Sequence, residues 1–348
     1  MDNNGIVATK QALETYITLT PQEAQWFSSV GDKLPFLVSR YYLALINPDD
    51  PNDPIRRQVI PSVEELDLSE HENIDPLAEE KHSVLPRLIH RYENRVALLV
   101  TDRCATYCRH CFRRRFTATE QNFITRQELS EVQAYLKQNS GIKEILLTGG
   151  DPLTLSDMRL RELFSALYAV RKDLVIRLCT RIPATYPQRV TEKLIAMLTA
   201  VREGPIYLLT QFNHPRELTA ESLRAVNLFV DNGIPAFNQT VLLRGVNDDL
   251  VVLEELMNSL LANRIKPYYL FQGDLVAGTK HLRVPLERGL LLEEELVKRL
   301  SGLAMPTYAV DLPNGGGKVP LGKNYLLRRE GNVWVFKTPQ GEIVNYSD

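Results

Sequence analysis

The chain is short of cysteine, of long apolar runs and of net charge. Four cysteines in 348 residues cannot build the disulfide framework of a small secreted scaffold. The most apolar early stretch, residues 35–46, is broken by Ser39 and Arg40 and falls far short of a bilayer span, so no membrane role is expected. A formal net charge of -2 leaves no electrostatic footprint for nucleic acid. The opening Met1-Asp-Asn-Asn-Gly-Ile has neither the basic nor the apolar region of a secretory leader, and a reducing cytoplasm is the expected location. No nucleotide-binding P-loop is present, because Val319 follows the lysine of Gly315-Gly-Gly-Lys318 where a serine or threonine is needed. With 44% hydrophobic and 24% charged residues, the class that remains is a soluble globular protein able to bury a barrel-sized core.

What cysteine there is lies close together. Cys104, Cys108 and Cys111 form a C-x3-C-x2-C run directly after an apolar stretch, and only Cys179 stands apart. Three thiolates on one loop can hold three irons of a cubane cluster and leave the fourth open to a ligand. Zinc is the competing reading, but structural zinc wants four closed ligands, commonly as two separated pairs. No second pair follows, and His110 sits between two of the cysteines on a very short loop. The spacing, with Phe112 trailing it, resembles the radical S-adenosylmethionine enzymes. That resemblance implies a [4Fe-4S] cluster on Cys104, Cys108 and Cys111, with S-adenosyl-L-methionine on its open iron.

From Val96 onward a beat of about thirty residues sets in, with a short apolar run, a polar turn and an amphipathic segment in each unit. Apolar runs at 96–101, 144–148, 174–180, 206–211, 234–243 and 267–272 alternate with helical patterning at 126–138, 190–198, 221–231 and 249–263. Six such units imply parallel strands with right-handed crossovers, an open or closed (β/α) barrel; an open doubly wound sheet is the alternative. The expected fold is therefore α/β, a partial (β/α)6 barrel over 96–305. A helical region over 1–95 precedes it and a short segment over 306–348 follows. Pro48-Asp-Asp-Pro-Asn-Asp-Pro54 reads as a rigid surface connector, and Thr20 with Glu23 as a helix start. The chemistry-bearing residues fall just after the strands, on the face where barrel active sites form.

Gly149-Gly150-Asp151 ends the second run. Its glycines allow close backbone approach, and its carbonyls and carboxylate can accept from an ammonium; a turn is the plain alternative. Asp311-Leu-Pro-Asn-Gly-Gly-Gly-Lys318 offers a flexible approach that could bring a lysine amine to an aldehyde, as in pyridoxal phosphate chemistry; a mobile surface loop is the alternative. Taken in order with Arg91-Tyr-Glu-Asn-Arg95, Cys108-Arg-His-Cys-Phe-Arg-Arg-Arg-Phe116, Phe212-Asn-His-Pro215, Asn238-Gln-Thr-Val-Leu-Leu-Arg-Gly-Val-Asn247 and Gly273-Asp-Leu275, these motifs resemble the lysine 2,3-aminomutase family.

That resemblance implies that Lys318 forms a Schiff base with pyridoxal 5′-phosphate and that Arg91 and Arg95 hold its phosphate. Gln239 would stand near its ring, and Gly149, Gly150 and Asp151 at the amino group of S-adenosylmethionine. Arg113 would pair with the substrate α-carboxylate, and Asp274 and Asp311 with a distal ammonium. The implied activity is an isomerase shifting the α-amino group of lysine to C3, with electrons from a flavodoxin or ferredoxin type reductant. Two carboxylates in a pocket favour lysine over glutamate and discriminate arginine less. Rival readings are a relative acting on another amino acid, one serving modification of elongation factor P, and a non-catalytic iron–sulfur protein. Asp249 stands where longer members carry a zinc cysteine, and the chain stops at Asp348, so no zinc site is expected and a homodimer is expected rather than a tetramer. Asn314 replaces a fourth glycine, which asparagine can do because it tolerates left-handed backbone. Gln211 stands where a histidine is common.

Overall fold

Period-two alternation inside each apolar run decides the architecture. Along Arg95–Thr101, Val96, Leu98 and Val100 are buried while Arg95 and Ala97 stay half open, the signature of a strand with one face on helices and one on a cavity. The computed structural model describes residues 5–29, 34–119 and 122–347; the first four residues of the segment read for a leader lie outside the described residues. The strands are β1 (Ile6–Val7), β2 (Val38–Ser39), β3 (Ser83–Leu85), β4 (Leu88–Tyr92), β5 (Arg95–Thr101), β6 (Glu144–Gly149), β7 (Val175–Cys179), β8 (Ile206–Thr210), β9 (Ala236–Val241) and β10 (Ile265–Phe271). They continue with β11 (Thr307–Leu312), β12 (Gly317–Pro320), β13 (Leu326–Glu330), β14 (Val333–Lys337) and β15 (Ile343–Ser347).

Strands β3 to β12 make one sheet in chain order. Strands β5 to β11 run parallel, and β3, β4 and β12 flank them antiparallel. Because each crossover steps to the adjacent strand with one hand, the sheet curls as a partial barrel. All six units read from the sequence form, and β11 adds a seventh parallel strand in the segment read as C-terminal. Its run, Thr-Tyr-Ala-Val-Asp-Leu, includes a threonine and an aspartate and gives no clean alternation signal.

The helices begin on strong caps. Thr125 accepts from the Glu128 N–H at 3.2 Å while Glu128 reaches back to the Thr125 N–H at 2.7 Å, starting Arg126–Gln138. Asp249 accepts from the Val251 and Val252 N–H groups, so the residue at the zinc-cysteine position is the N-cap of Leu250–Ala262. Helices Asp157–Val170 and Leu286–Arg299 complete the β–α units that begin with β6 and β10. Helix residues such as Leu160, Phe164 and Leu253 join the strands' buried face in one core, each large apolar side chain contributing about 1.5–3 kcal/mol by burial.

The N-terminal region builds its own smaller core around Trp26, Tyr42, Ile55 and Val59. The Thr20–Glu23 capping box forms as read. The proline-rich link is not wholly a surface connector: its last residue, Pro54, opens helix Pro54–Val59, and Asp53 is buried as its N-cap. A pair of proline-compatible turns therefore ends in a helix start, where proline's missing donor costs nothing.

Gly149 and Gly150 end β6 against the backbone of residues 101–103. The Gly150 N–H donates to the Thr101 carbonyl at 2.5 Å and the Asp151 N–H to the Arg103 carbonyl at 2.7 Å. A Cβ on Gly149 would meet the Thr101 oxygen at 2.6 Å, and one on Gly150 would collide with the Arg103 backbone. Gly150→Ala is therefore expected to displace the cysteine loop and to lower stability by about 1–3 kcal/mol. Chemical denaturation and iron content after anaerobic reconstitution check this; unchanged values in both would remove the close-packing account.

Candidate active site

The cysteine loop leaves β5 and is held from both sides. Arg109, between the second and third cysteines, is fully buried; it donates to both Glu65 carboxylate oxygens and to the Leu34 and Pro35 carbonyls. Cys104, Cys108 and Cys111 are free and half-buried. Burial, then Asp151 and the other two thiols, pushes the Cys104 thiol well up; burial and Cys108 raise that of Cys111, against the pull of Arg114. Three thiolates here are thus costly unless positive charge meets them. Arg181 supplies one such charge, its Nη1 standing 2.7 Å from Cys108 Sγ. The residues therefore fit a cluster that brings its own positive iron to the thiols.

Asp151 does not reach outward. Its carboxylate accepts from Thr180 Oγ1 at 2.7 Å, the Arg181 N–H at 2.7 Å and the Leu153 N–H at 3.0 Å. It is 6% exposed. Its side chain locks β7's end to β6's end, so the structure gives it a positioning part and leaves the Gly149 and Gly150 backbone as the portion of that motif beside the cysteine loop. His110 points toward Gln211 and Asn213, at 3.3 and 3.5 Å, with its Nδ1 buried and unpaired. Burial and the nearby Arg181 and Arg114 hold it well below its ordinary pKa, leaving a neutral ring.

The lysine motif is a hairpin rather than a flexible approach. Asn314 takes a left-handed conformation at φ 57, as do Gly315 and Gly317, which turns the chain back so that β12 pairs with β11 and Lys318 faces Asp311 directly. Seven residues of spacing become one cross-strand pair, with Lys318 Nζ 2.7 Å from Asp311 Oδ2. The Tyr92 hydroxyl accepts from the Lys318 N–H at 3.0 Å. The amine lies 3.8 Å from the Phe271 ring centre and 5.0 Å from that of Tyr269. Burial pulls its pKa down, against the pull of Asp311.

Around it the remaining predicted residues gather. Asp274 follows β10, where burial first and Asp311 second raise its pKa to about 7, with Lys318 and Arg113 opposing. Arg91 on β4 stands 3.8 Å from Asp311, yet its Nε and Nη2 are buried without a hydrogen-bond acceptor. Two orphaned guanidinium donors beside a lysine are suited to an anion such as phosphate. Arg95 lies over the Tyr92 ring at 3.7 Å, and Gln239 pairs in register with Tyr269. Arg113 is not free: its Nε and Nη2 meet Glu79, the latter at 2.7 Å, and its Nη1 donates to Thr148 at 2.8 Å.

Sequence reasoning missed Glu79, Tyr269 and Phe271. The two aromatics sit two apart on β10, a period-two cue that was available. Glu79 lies in an irregular stretch, and nothing local marks it. These donor sets fit the three cofactors expected of the motifs. Held there, the cluster with S-adenosylmethionine supplies a carbon radical and pyridoxal phosphate an electron sink.

Two family models match the chain: "Radical SAM superfamily" over residues 98–257 and "Lysine-2,3-aminomutase" over residues 293–348. The chain is 40% identical to the L-lysine 2,3-aminomutase of Clostridium subterminale over 342 residues, 98% of this chain and 82% of that protein. To the L-lysine 2,3-aminomutase of Bacillus subtilis (strain 168) it is 36% identical, across 98% of this chain and 72% of the other. A glutamate 2,3-aminomutase of Clostridioides difficile (strain 630) is 39% identical, with 97% and 79% covered, so overall identity does not separate the two substrates. The protein belongs to the radical S-adenosylmethionine enzymes of the lysine 2,3-aminomutase family.

Proposed function

We propose that the protein is an isomerase acting as a lysine 2,3-aminomutase, moving the α-amino group of L-lysine to C3. The observation that carries the substrate assignment is the pairing of Asp311 with Lys318 beside the half-buried Asp274. Glu79 is already paired with Arg113, so the two carboxylates open to a further cation are Asp311 and Asp274. Lys318, taken up by the cofactor aldehyde, would leave Asp311 without its present partner; a distal substrate ammonium would then be met by both carboxylates, and a distal carboxylate would be repelled by them. This favours lysine over the glutamate of the equally similar relative.

In this reading Lys318 is the covalent anchor, and Arg91 and Arg95 take the cofactor phosphate, Gln239 and Tyr269 flanking the ring. Cys104, Cys108 and Cys111 hold the cluster, with Gly149 and Gly150 beside it. Arg113 receives the substrate α-carboxylate on the guanidinium edge now shared with Glu79 and Thr148. The aromatic wall of Tyr269 and Phe271 keeps water from the amine. The organisation into a helical region 1–95, a barrel 96–305 and a cofactor-lysine segment 306–348 is part of the proposal. So is a cytoplasmic location, which four free cysteines support; no helix among the described residues is long and apolar enough to cross a membrane. Homodimer formation is supported by Ile343, Val344 and Tyr346, which the C-terminal sheet leaves exposed.

Anaerobic incubation with isotopically labelled lysine, S-adenosylmethionine, pyridoxal phosphate and a reductant is expected to give labelled β-lysine; turnover of glutamate or arginine in its place would overturn the substrate assignment. Lys318→Ala should abolish covalent capture of pyridoxal phosphate, read by borohydride reduction and peptide mass, with iron content unchanged. Asp274→Asn should weaken lysine binding by roughly 10- to 100-fold while sparing pyridoxal phosphate.

A carboxyl raised to about 7 is protonated in the folded protein where the unfolded chain has already lost the proton. Its contribution to stability is therefore present below its ordinary value and lost as pH rises through about 7. Lysine binding runs the opposite way, strengthening from about pH 6 to about pH 8 as Asp274 ionises. A flat binding profile there would remove Asp274 from the pocket.

A further inference from the structure

On the outer surface next to the cysteine loop, helices Arg126–Gln138 and Asp157–Val170 leave an apolar groove between them. Both follow barrel strands, so both begin at the strand ends where the cysteines lie. The groove holds about 410 Å³ and is walled by Phe123, Leu129, Leu155 and Met158. Met158 is 68% exposed, unusual for so large an apolar side chain on a helix start. A second groove shares Met158 and continues past Arg161 and Lys193.

Charge surrounds this apolar strip unevenly. Arg103 and Arg159 lie over the Phe123 ring, at 5.5 and 4.1 Å. Arg103, Arg159, Arg161 and Lys193 have no ion-pair partner among the described residues, whereas the acids of the grooves are neutralised, Glu162 by Arg126 at 3.1 Å and Asp157 by Arg189 at 2.8 Å. Among the described residues, four cations without an ion-pair partner thus border an apolar strip whose own acids are neutralised. That face is wired to the cysteines: Phe123 pairs with Thr101 at the end of β5, and Arg103, which immediately precedes Cys104, donates to Asn122 at 2.6 Å.

We infer that this face docks an acidic flavodoxin-type electron carrier. The inference rests on the family reading of the cysteine loop as a cluster site. A flavin whose apolar ring edge is exposed within an acidic rim matches an apolar strip within a basic rim, and opposite potentials steer such encounters. The step is a one-electron transfer: the anionic flavin hydroquinone is oxidised to the neutral semiquinone and the cluster takes the electron, with no bond made or broken. The carrier approaches from outside the barrel, so its docking leaves the mouth that admits substrate open.

The triple variant Arg159→Glu/Arg161→Glu/Lys193→Glu tests this, with Arg159→Lys/Arg161→Lys as the charge-keeping control. Binding of a purified flavodoxin, followed by flavin fluorescence at low ionic strength, should fall at least tenfold in the triple variant and stay within about twofold in the control. Wild-type binding should weaken steeply with salt. Cluster reduction by flavodoxin hydroquinone should slow in parallel, while dithionite reduces all three proteins alike and iron content is equal. Unaltered flavodoxin affinity in the triple variant, or none in the wild type, overturns the docking surface. Charge-dependent binding of a ferredoxin but not of flavodoxin overturns the choice of a flavin carrier. A wild-type protein that takes up no iron, with binding still lost in the triple variant, overturns the cluster reading alone.

Discussion

Arg181 is the interaction on which the active-site end of the molecule hangs. Its guanidinium is buried and meets Cys108 Sγ at 2.7 Å, Glu217 at 2.7 Å, Gln58 at 2.5 Å and the Tyr42 hydroxyl at 3.0 Å. Those partners come from the cysteine loop, the segment after β8 and the N-terminal core. A buried cation persists only where its partners are in place, and removing one leaves an uncompensated charge. The Tyr42 hydroxyl, pushed well above its ordinary pKa chiefly by burial, stays protonated and donates a hydrogen bond to Glu217 at 2.6 Å. Asp151 fixes the same arginine through its backbone N–H. One side chain therefore registers three separate parts of the chain against the thiol that it partners.

The second constraint is the β11–β12 hairpin. Left-handed backbone at Asn314, Gly315 and Gly317 determines that Lys318 lands opposite Asp311 rather than somewhere along a mobile loop. The resulting pair is partly buried, and the aromatic rings beside it lower the local polarity, so both groups stay sensitive to what else enters. Asp274, raised toward neutrality by burial and by Asp311, completes a pocket in which two carboxylates lie about one lysine. Pocket and thiol loop meet through Arg113, two residues after Cys111, which touches Glu79 and the β6 residue Thr148. The lysine hairpin, its neighbouring carboxylates and the cysteine loop are therefore parts of one electrostatic system.

Much of this was readable from residues alone. The helix boundary at Arg126–Gln138, the Thr20–Glu23 cap and the six strands carried strong local signals, because caps and period-two burial act over a few residues. Strand β11 escaped because its six residues include Thr307 and Asp311 and alternate only loosely, and what makes it a strand is its pairing with β10 and β12. The glycine motif lies against the start of the cysteine loop, but the hydrogen bonds of Asp151 were not legible: whether a carboxylate faces outward or its own strand ends depends on β7, some thirty residues away.

The sequence by itself determined the chemistry available: three thiols on one loop, a lysine after glycines, two aspartates and the arginines, in an order that marks the family. Spacing and side-chain type are one-dimensional properties and survive without coordinates. Only the tertiary structure decided that Lys318 faces Asp311, that Glu79 shares Arg113 and that Arg181 reaches Cys108. These contacts join residues 7, 34 and 73 positions apart, and at such separations it is the curl of the sheet and the register of its strands that choose the partners.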